Sequence, residues 1–300
     1  MIQIHNISKT FENYKALSDI CATIKEGQVF GLIGTNGAGK STLLRIISGI
    51  YQADGGTVTV DEEPVWDNPK AKSLIFYLSD DQYFYPNETP MDMLKLYEKQ
   101  YESFDRARFL KFLESFHLDK NRRINTFSKG MKKQLSIFYG ICAGTKYLIC
   151  DETFDGLDPV VRQTVKSLFV KEMETRDFTP IIASHNLREL EDICDHVGLL
   201  HRGGILFSKD LESMKLGIYK MQCVFKNIGD VTALCDAFPV IHQEMRGSLY
   251  TITLRGTRED IDAKIASLSP VFYELLPLSL EEIFITETEV AGYDFKELYL

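Results

Sequence analysis

The chain has 300 residues, 44% of them apolar, enough for one large domain or for a domain of about 200 residues with a smaller companion. Acidic residues number 43 against 34 basic ones, a net charge of −9; this excludes a global attraction to nucleic acid or to an anionic membrane surface, so any such partner is met through a local patch or through protein contacts. Six cysteines form no C-x-x-C pair and read as reduced thiols in a cytoplasmic setting, and no apolar run approaches the roughly 18 residues that span a bilayer.

In chain order, MIQIHNISKTF lacks the basic-then-apolar order of a secretory signal. The segments IQIHNI and ALSDICATI alternate as short strands, and VFGLI is a continuous buried strand leading into GTNGAGKST and the helical spacing of LLRIISGIY. TVTV and SLIFYLSDD read as further strands. From about 82 to 143 the pattern is helical, with the amphipathic runs MDMLKLYEKQY and RFLKFLESFHL. KYLICDE is a buried strand ending in two carboxylates, VVRQTVKSLFVKEM a helix, TPIIASH a strand ending in histidine and NLRELEDICDHV a helix. A hairpin then turns at Gly203-Gly204. This alternation predicts a mainly parallel α/β sheet with a helical insertion in a domain spanning 1–215. Residues 216–300 read as a small α+β unit, with YKMQCVFKN, SLYTITLRG and SPVFYELLPL as strands and GDVTALCDAF and TREDIDAKIASL as helices.

The stretch from Gly34 to Ser41, GTNGAGKS, matches G-x-x-x-x-G-K-[ST] between a strand and a helix. Glycines let consecutive N–H groups turn toward phosphate oxygens, and the helix adds the positive end of its dipole. Gly34, Asn36, Gly37, Ala38 and Gly39 thus form the expected cradle, Lys40 reaches the β- and γ-phosphates, Ser41 ligates Mg²⁺ and Thr42 contacts the α-phosphate. LICDE supplies a second element: Asp151 holds the metal or its water, and Glu152 polarises the attacking water. Cys194, His196 and His201 lack a fourth ligand and read as a packed thiol and surface histidines.

With FSKGM, GLDP and the Ser184-His185 pair in the same order, the first 215 residues resemble the ATPases of ATP-binding cassette (ABC) transporters. GTNGAGKST resembles their Walker A, LICDE their Walker B, FSKGM their LSGGQ signature, GLDP their D-loop and Ser184-His185 their switch histidine. The signature lies 23 residues before the Walker B aspartate. The resemblance implies a P-loop NTPase (RecA-like) core with an N-terminal antiparallel β subdomain. It also implies a head-to-tail homodimer in which each ATP lies between the Walker A of one copy and the signature of the other. Ser128 and the Gly130 N–H then contact a γ-phosphate in trans, and Asp158 communicates across the dimer. His185 hydrogen-bonds the γ-phosphate while Glu152 is the base. Phe11, 29 residues before Lys40, stacks on adenine, with Tyr14 as the alternative.

Some positions depart from the family pattern. Asp80 occupies the place of the usual Q-loop glutamine, with Gln82 two residues on. A carboxylate there reaches Mg²⁺ or its water but repels an uncompensated γ-phosphate. Lys129, Met131 and Thr153 replace a glycine, a glutamine and a proline. Lys129, Lys132 and Lys133 read as a solvated cationic face or as added attraction for the partner's phosphates.

The resulting expectation is an ATPase subunit, peripheral at the inner face of the cell membrane, that drives export through a separate multi-span permease. The permease groove lies in the helical segment around residues 80–125 near Tyr83, Phe84 and Tyr85, and the C-terminal SLEEIF favours export. An importer motor shares every ATP motif. A soluble ABC ATPase on ribosomes or DNA calls for a second cassette, a coiled coil or a basic patch that the sequence lacks, and a non-hydrolysing module is disfavoured by Glu152 and His185.

Overall fold

The computed structural model describes residues 1–284 apart from 155, 192, 212, 214–216 and 277; the remainder of the expected 216–300 unit, from 285 on, lies outside the described residues. The chain divides into two compact units, the first Met1–Lys209 and the second beginning at Asp210.

In the first unit, β1 (Ile2–Phe11) and β2 (Tyr14–Ile24) form a long hairpin. Ile4 and Ile7 are both buried although three residues apart, a spacing that strict alternation would place on opposite faces. A register shift between them, with Asn6 at φ 50° and its amide on the Asp19 carboxylate at 2.6 Å, restores the inward direction. β3 (Phe30–Ile33) leads to α1 (Lys40–Ile47), followed by β4 (Gly55–Val60), β5 (Glu63–Pro64), the short α2 (Pro69–Lys72) and β6 (Ile75–Leu78). One sheet has the order β2-β1-β4-β5 and is antiparallel.

The helical segment comprises α3 (Pro90–Gln100), α4 (Arg106–Ser115) and α5 (Lys129–Cys142). α3 starts at a capping box between Thr89 and Asp92 with Pro90 in its first turn. Its packing with α4 and α5 centres on Tyr139, whose ring lies 4.5 Å from those of Tyr97 and Phe109 and whose hydroxyl donates to the Pro90 carbonyl at 2.7 Å.

The chain continues through β7 (Tyr147–Asp151), α6 (Pro159–Thr175), β8 (Thr179–Ser184), α7 (Leu187–Glu191), β9 (His196–His201) and β10 (Gly204–Asp210). The second sheet has the order β10-β9-β3-β8-β7-β6, with β3, β6, β7, β8 and β9 mutually parallel. Its parallel strands are buried on both faces, the cause of their nearly unbroken apolar runs. Helix α1 buries Leu43, Leu44, Ile46 and Ile47 in one core with Ile2, Ile7 and Ile20 of the antiparallel sheet and Ile149 and Ile181 of the parallel one. The phosphate-loop helix is thereby clamped between two sheets, each fully buried Leu or Ile contributing about 1.5–3 kcal/mol.

The structure corrects one expected helix. Among its described residues NLRELEDICDHV is helical over Leu187–Glu191, while His196 and Val197 pair with Phe30 and Gly31 in the sheet. The gain of ladder hydrogen bonds beside a central strand outweighs the helical spacing of that segment.

The second unit runs β11 (Ile218–Val224), α8 (Ile228–Cys235), β12 (Val240–Arg246), β13 (Leu249–Arg255), α9 (Arg258–Leu268) and β14 (Phe272–Leu276). The order β12-β13-β11-β14 with antiparallel pairing is the split βαβ, or ferredoxin-like, arrangement. Strand β12 is the element the sequence does not announce: it lies at the sheet edge, is almost wholly exposed and carries no apolar alternation. Met221, Cys223, Ile252 and Leu254 of the sheet pack with Val231, Leu234, Ile261 and Ile265 of the helices. In SLEEIF, Leu280, Ile283 and Phe284 are buried. Ser279 and Glu282 there cap one another reciprocally: the Ser279 hydroxyl accepts from the Glu282 N–H at 3.3 Å, and the Glu282 carboxylate accepts from the Ser279 N–H at 3.0 Å. Among the described residues no helix is long and apolar enough to cross a membrane.

Candidate nucleotide site

Sheet register assembles the site. Ile33 pairs with Ser184, Ala183 with Asp151 and Cys150 with Leu78, so four parallel strands end at one level. The Gly-rich loop, His185, the Asp151-Glu152 pair and Asp80 follow directly from those ends, the edge at which open α/β sheets bind ligands. With Asp151 excepted, they border a cavity of about 630 Å³ lined by Tyr14, Ala16, Asn36, Gly37, Gly39, Lys40, Ser41, Thr42, Asp80, Glu152 and His185.

The loop needs its glycines. A Cβ at Gly34 would stand 2.4 Å from the Leu200 carbonyl oxygen, and at Gly39, where φ is 106°, it would stand 2.7 Å from that of Ala16. Lys40, 5% exposed, begins α1 and donates to the carbonyls of Gly34 at 2.7 Å and Thr35 at 3.2 Å. The first N–H groups of α1 have no partner within the helix and point toward the loop side, where the dipole favours an anion.

The Ser41 hydroxyl donates to Asp151 Oδ1 at 2.9 Å, and the Tyr77 hydroxyl donates to Oδ2 at 2.8 Å. Burial pushes the Asp151 carboxyl above its ordinary range, against these two hydrogen bonds, and burial with the Asp151 charge pushes the Tyr77 phenol upward. Glu152 Oε1 pairs with Lys40 Nζ at 3.1 Å and Oε2 meets His185 Nδ1 at 2.7 Å. An ionised carboxylate only accepts, so Nδ1 carries the proton in this contact.

Other expected residues are placed elsewhere. Phe11 does not line the cavity: its ring is in edge contact with Tyr51 at 5.7 Å and lies under Lys9. Tyr14 lines the cavity and donates to the Gly37 carbonyl at 3.1 Å. Gln82 turns its amide onto the Ser79 carbonyl of its own loop at 3.1 Å, whereas Asp80 lines the cavity. Ser128 caps α5 by accepting from the Met131 N–H at 3.2 Å. Gly130 lies in the first turn of that helix, where backbone N–H groups have no helical partner. Asp158 caps α6, accepting from Val160 and Val161 N–H at 3.1 and 3.0 Å. Asp158→Ala is therefore expected to cost about 1 kcal/mol, a drop of about 2–4 °C in a thermal melt, while Asp158→Asn keeps the cap and the melting temperature.

Tyr77 is absent from the sequence expectations, and Lys133 sits otherwise than they had it. Lys133 does not lie on a solvated face. It is fully buried, and its ammonium donates to the Glu152 carbonyl at 2.9 Å and to Asp80 at 3.2 Å. The signal was available in the helix spacing, since Lys133 shares a face with the buried Ile137 and Ile141. The repulsion anticipated from Asp80 is thus compensated within the chain. Tyr83 and Tyr85 are 74% and 54% exposed.

The family profile described as ABC transporter matches residues 17–155. The ABC transporter ATP-binding protein YtrB of Bacillus subtilis is 31% identical over 96% of this chain and 98% of its own. The chain belongs to the ABC transporter ATP-binding proteins. Another relative of this ABC ATPase is the lantibiotic transport ATP-binding protein SrtF of Streptococcus pyogenes, 30% identical over 71% of this chain and 92% of its own. The linearmycin resistance ATP-binding protein LnrL of B. subtilis is 32% identical over 69% of this chain and 68% of its own. Among solved structures, the ATP binding subunit of an ABC transporter superposes with a TM-score of 0.65 at 23% identity, covering 72% of this chain and 92% of that one. The cassette MJ0796, solved as a dimer in a post-hydrolysis state with ADP and Pi, gives 0.63 at 21% identity, covering 70% and 99%. The architecture is that of a P-loop ABC ATPase, and the chain is an ATP-binding, ATP-hydrolysing subunit of an ABC transporter.

Proposed function

We propose that this ATPase works as a head-to-tail pair of identical chains that drives export through a separate multi-span permease, at the inner face of the cell membrane. The observation that carries the catalytic reading is the convergence of Lys40, Ser41, Glu152 and His185 on one cavity, with Asp151 bonded to Ser41. Relatives named for lantibiotic transport and linearmycin resistance support an antibiotic or peptide as cargo.

Lys40 and the N–H groups of the loop bind the β- and γ-phosphates. Glu152 takes the proton of the attacking water as the new oxygen–phosphorus bond forms and the β–γ bridge breaks. His185 holds the Glu152 carboxylate through Oε2 and hydrogen-bonds the γ-phosphate. Ser41 and Asp151 present hard oxygens 2.9 Å apart, a donor set that fits Mg²⁺ completed by phosphate and water. Bound there, Mg²⁺ supplies charge neutralisation on the phosphates. Ser128 and the Gly130 N–H, at the exposed start of α5, act on the partner's γ-phosphate, and Asp158 lies where the two copies meet.

Adenine stacks at the β1–β2 turn, which carries both Phe11 and Tyr14. The resemblance points to Phe11 and the cavity lining to Tyr14. ATP titrations of Phe11→Ala and Tyr14→Ala decide between them: the stacking residue loses about 1 kcal/mol or more of binding, and the other is nearly neutral. The exposed Tyr83-Tyr85 pair at the head of the helical segment is the permease contact. A tagged full-length chain recovered from detergent extracts is expected to bring a multi-span membrane protein with it, and recovery of ribosomes instead would refute the transporter role.

A further inference from the structure

Lys133 is the one lysine of α5 whose side chain is entirely buried, and nothing in the ATPase motifs assigns it a task. Burying an ammonium is costly unless each proton finds an oxygen. Here it finds two partners: the backbone carbonyl of Glu152, 2.9 Å away, and the carboxylate of Asp80, 3.2 Å away.

The Glu152 backbone has φ 48°, a left-handed conformation unfavourable for a residue with a Cβ. Its N–H is held by the Ala183 carbonyl at 3.1 Å. Lys133 holds the other end of the same residue through its C=O. With both peptide groups fixed, the carboxylate is delivered to Lys40 and His185. Asp80, by contrast, is 54% exposed and faces the cavity that Lys40 lines. Without a cation beside it, it would repel the phosphates of ATP.

We propose that Lys133 is a positioning residue with two separable effects: it pins the backbone of the catalytic base, and it cancels the charge of Asp80 against the nucleotide. Because Lys133 stands one turn inside the helix that starts at Ser128, it also ties that helix to the base and to the loop following β6. This rests on Glu152 being the base.

The test uses the full-length chain as wild type, Lys133→Met, Asp80→Asn and the double variant. Turnover is measured with Mg-ATP at saturation, and affinity is measured separately with ATP in excess EDTA. Lys133→Met is expected to lower turnover at least about tenfold and to weaken ATP binding about fivefold. Adding Asp80→Asn restores affinity to within about twofold of wild type and leaves turnover at the Lys133→Met level. A residue that only filled the core would not divide the two readouts in this way. Turnover of Lys133→Met within twofold of wild type, or an affinity that the double variant fails to recover, overturns the proposal. If Lys133→Met does not fold, Asp80→Asn alone decides: it leaves the Lys133 charge unopposed and is expected to tighten ATP binding about threefold or more, and an unchanged or weaker affinity overturns the proposal. Glu152→Gln, run in parallel, separates the two levels. Retained turnover there removes the base itself, whereas lost turnover there with wild-type turnover in Lys133→Met removes only the role of Lys133.

Discussion

Glu152→Gln is expected to lower ATP turnover by about 10²–10⁴-fold, the range a positioned general base supplies, with ATP affinity kept within a few-fold. The amide retains the shape of the carboxylate, whose two oxygens lie 3.1 and 2.7 Å from Lys40 and His185; the amide oxygen still accepts from Lys40, and its NH₂ donates to His185 once the imidazole takes the other tautomer. It lacks the basicity to take a proton from water. Its side chain is only 13% exposed, so bulk water does not readily substitute as the base. Steady-state phosphate release from Mg-ATP reads the effect, and turnover near wild type would remove Glu152 from its role.

Lys40→Ala acts on binding instead. The ammonium makes charge-assisted contacts worth about 1.5–3 kcal/mol each, so ATP affinity is expected to fall by roughly tenfold to 150-fold. The loss has a second part: Glu152 Oε1 is left without its cation, and its charge then faces the phosphates. Lys40→Met isolates the charge, because it keeps most of the packing of a side chain that is 5% exposed. Equilibrium titration with ATP in EDTA separates affinity from turnover, and an unchanged affinity in both variants would contradict the phosphate assignment.

The phosphate loop is readable from sequence because its requirements are local. Gly37 and Gly39 adopt φ of 81° and 106°, and the strand and helix that flank the loop are its immediate neighbours in the chain. The alternation of buried strands with amphipathic helices likewise carries the α/β core. The burial of Lys133 is legible in its helix spacing, but the partners of Lys133 and Tyr77 are not, since they lie far along the chain: Asp80 is 53 residues from Lys133, and Asp151 is 74 from Tyr77. A lysine within a polar-looking KGMKKQ run resembles a solvated face until the helix axis shows that it shares a side with Ile137. The overextended helix at 186–197 failed for a related reason. Its local spacing is helical over the first turn, and the pairing of His196 with Phe30 across the sheet ends it. The edge strand β12 left no apolar imprint because neither of its faces is covered.

The central claim is that ATP joins two copies of this chain through the start of α5, and sedimentation of the Glu152→Gln protein with ATP tests it most directly. The expected result is a dimer that holds two ATP molecules and that adding Ser128→Arg converts to ATP-bound monomers. A protein saturated with ATP that remains monomeric, or a dimer indifferent to Ser128→Arg, would contradict it.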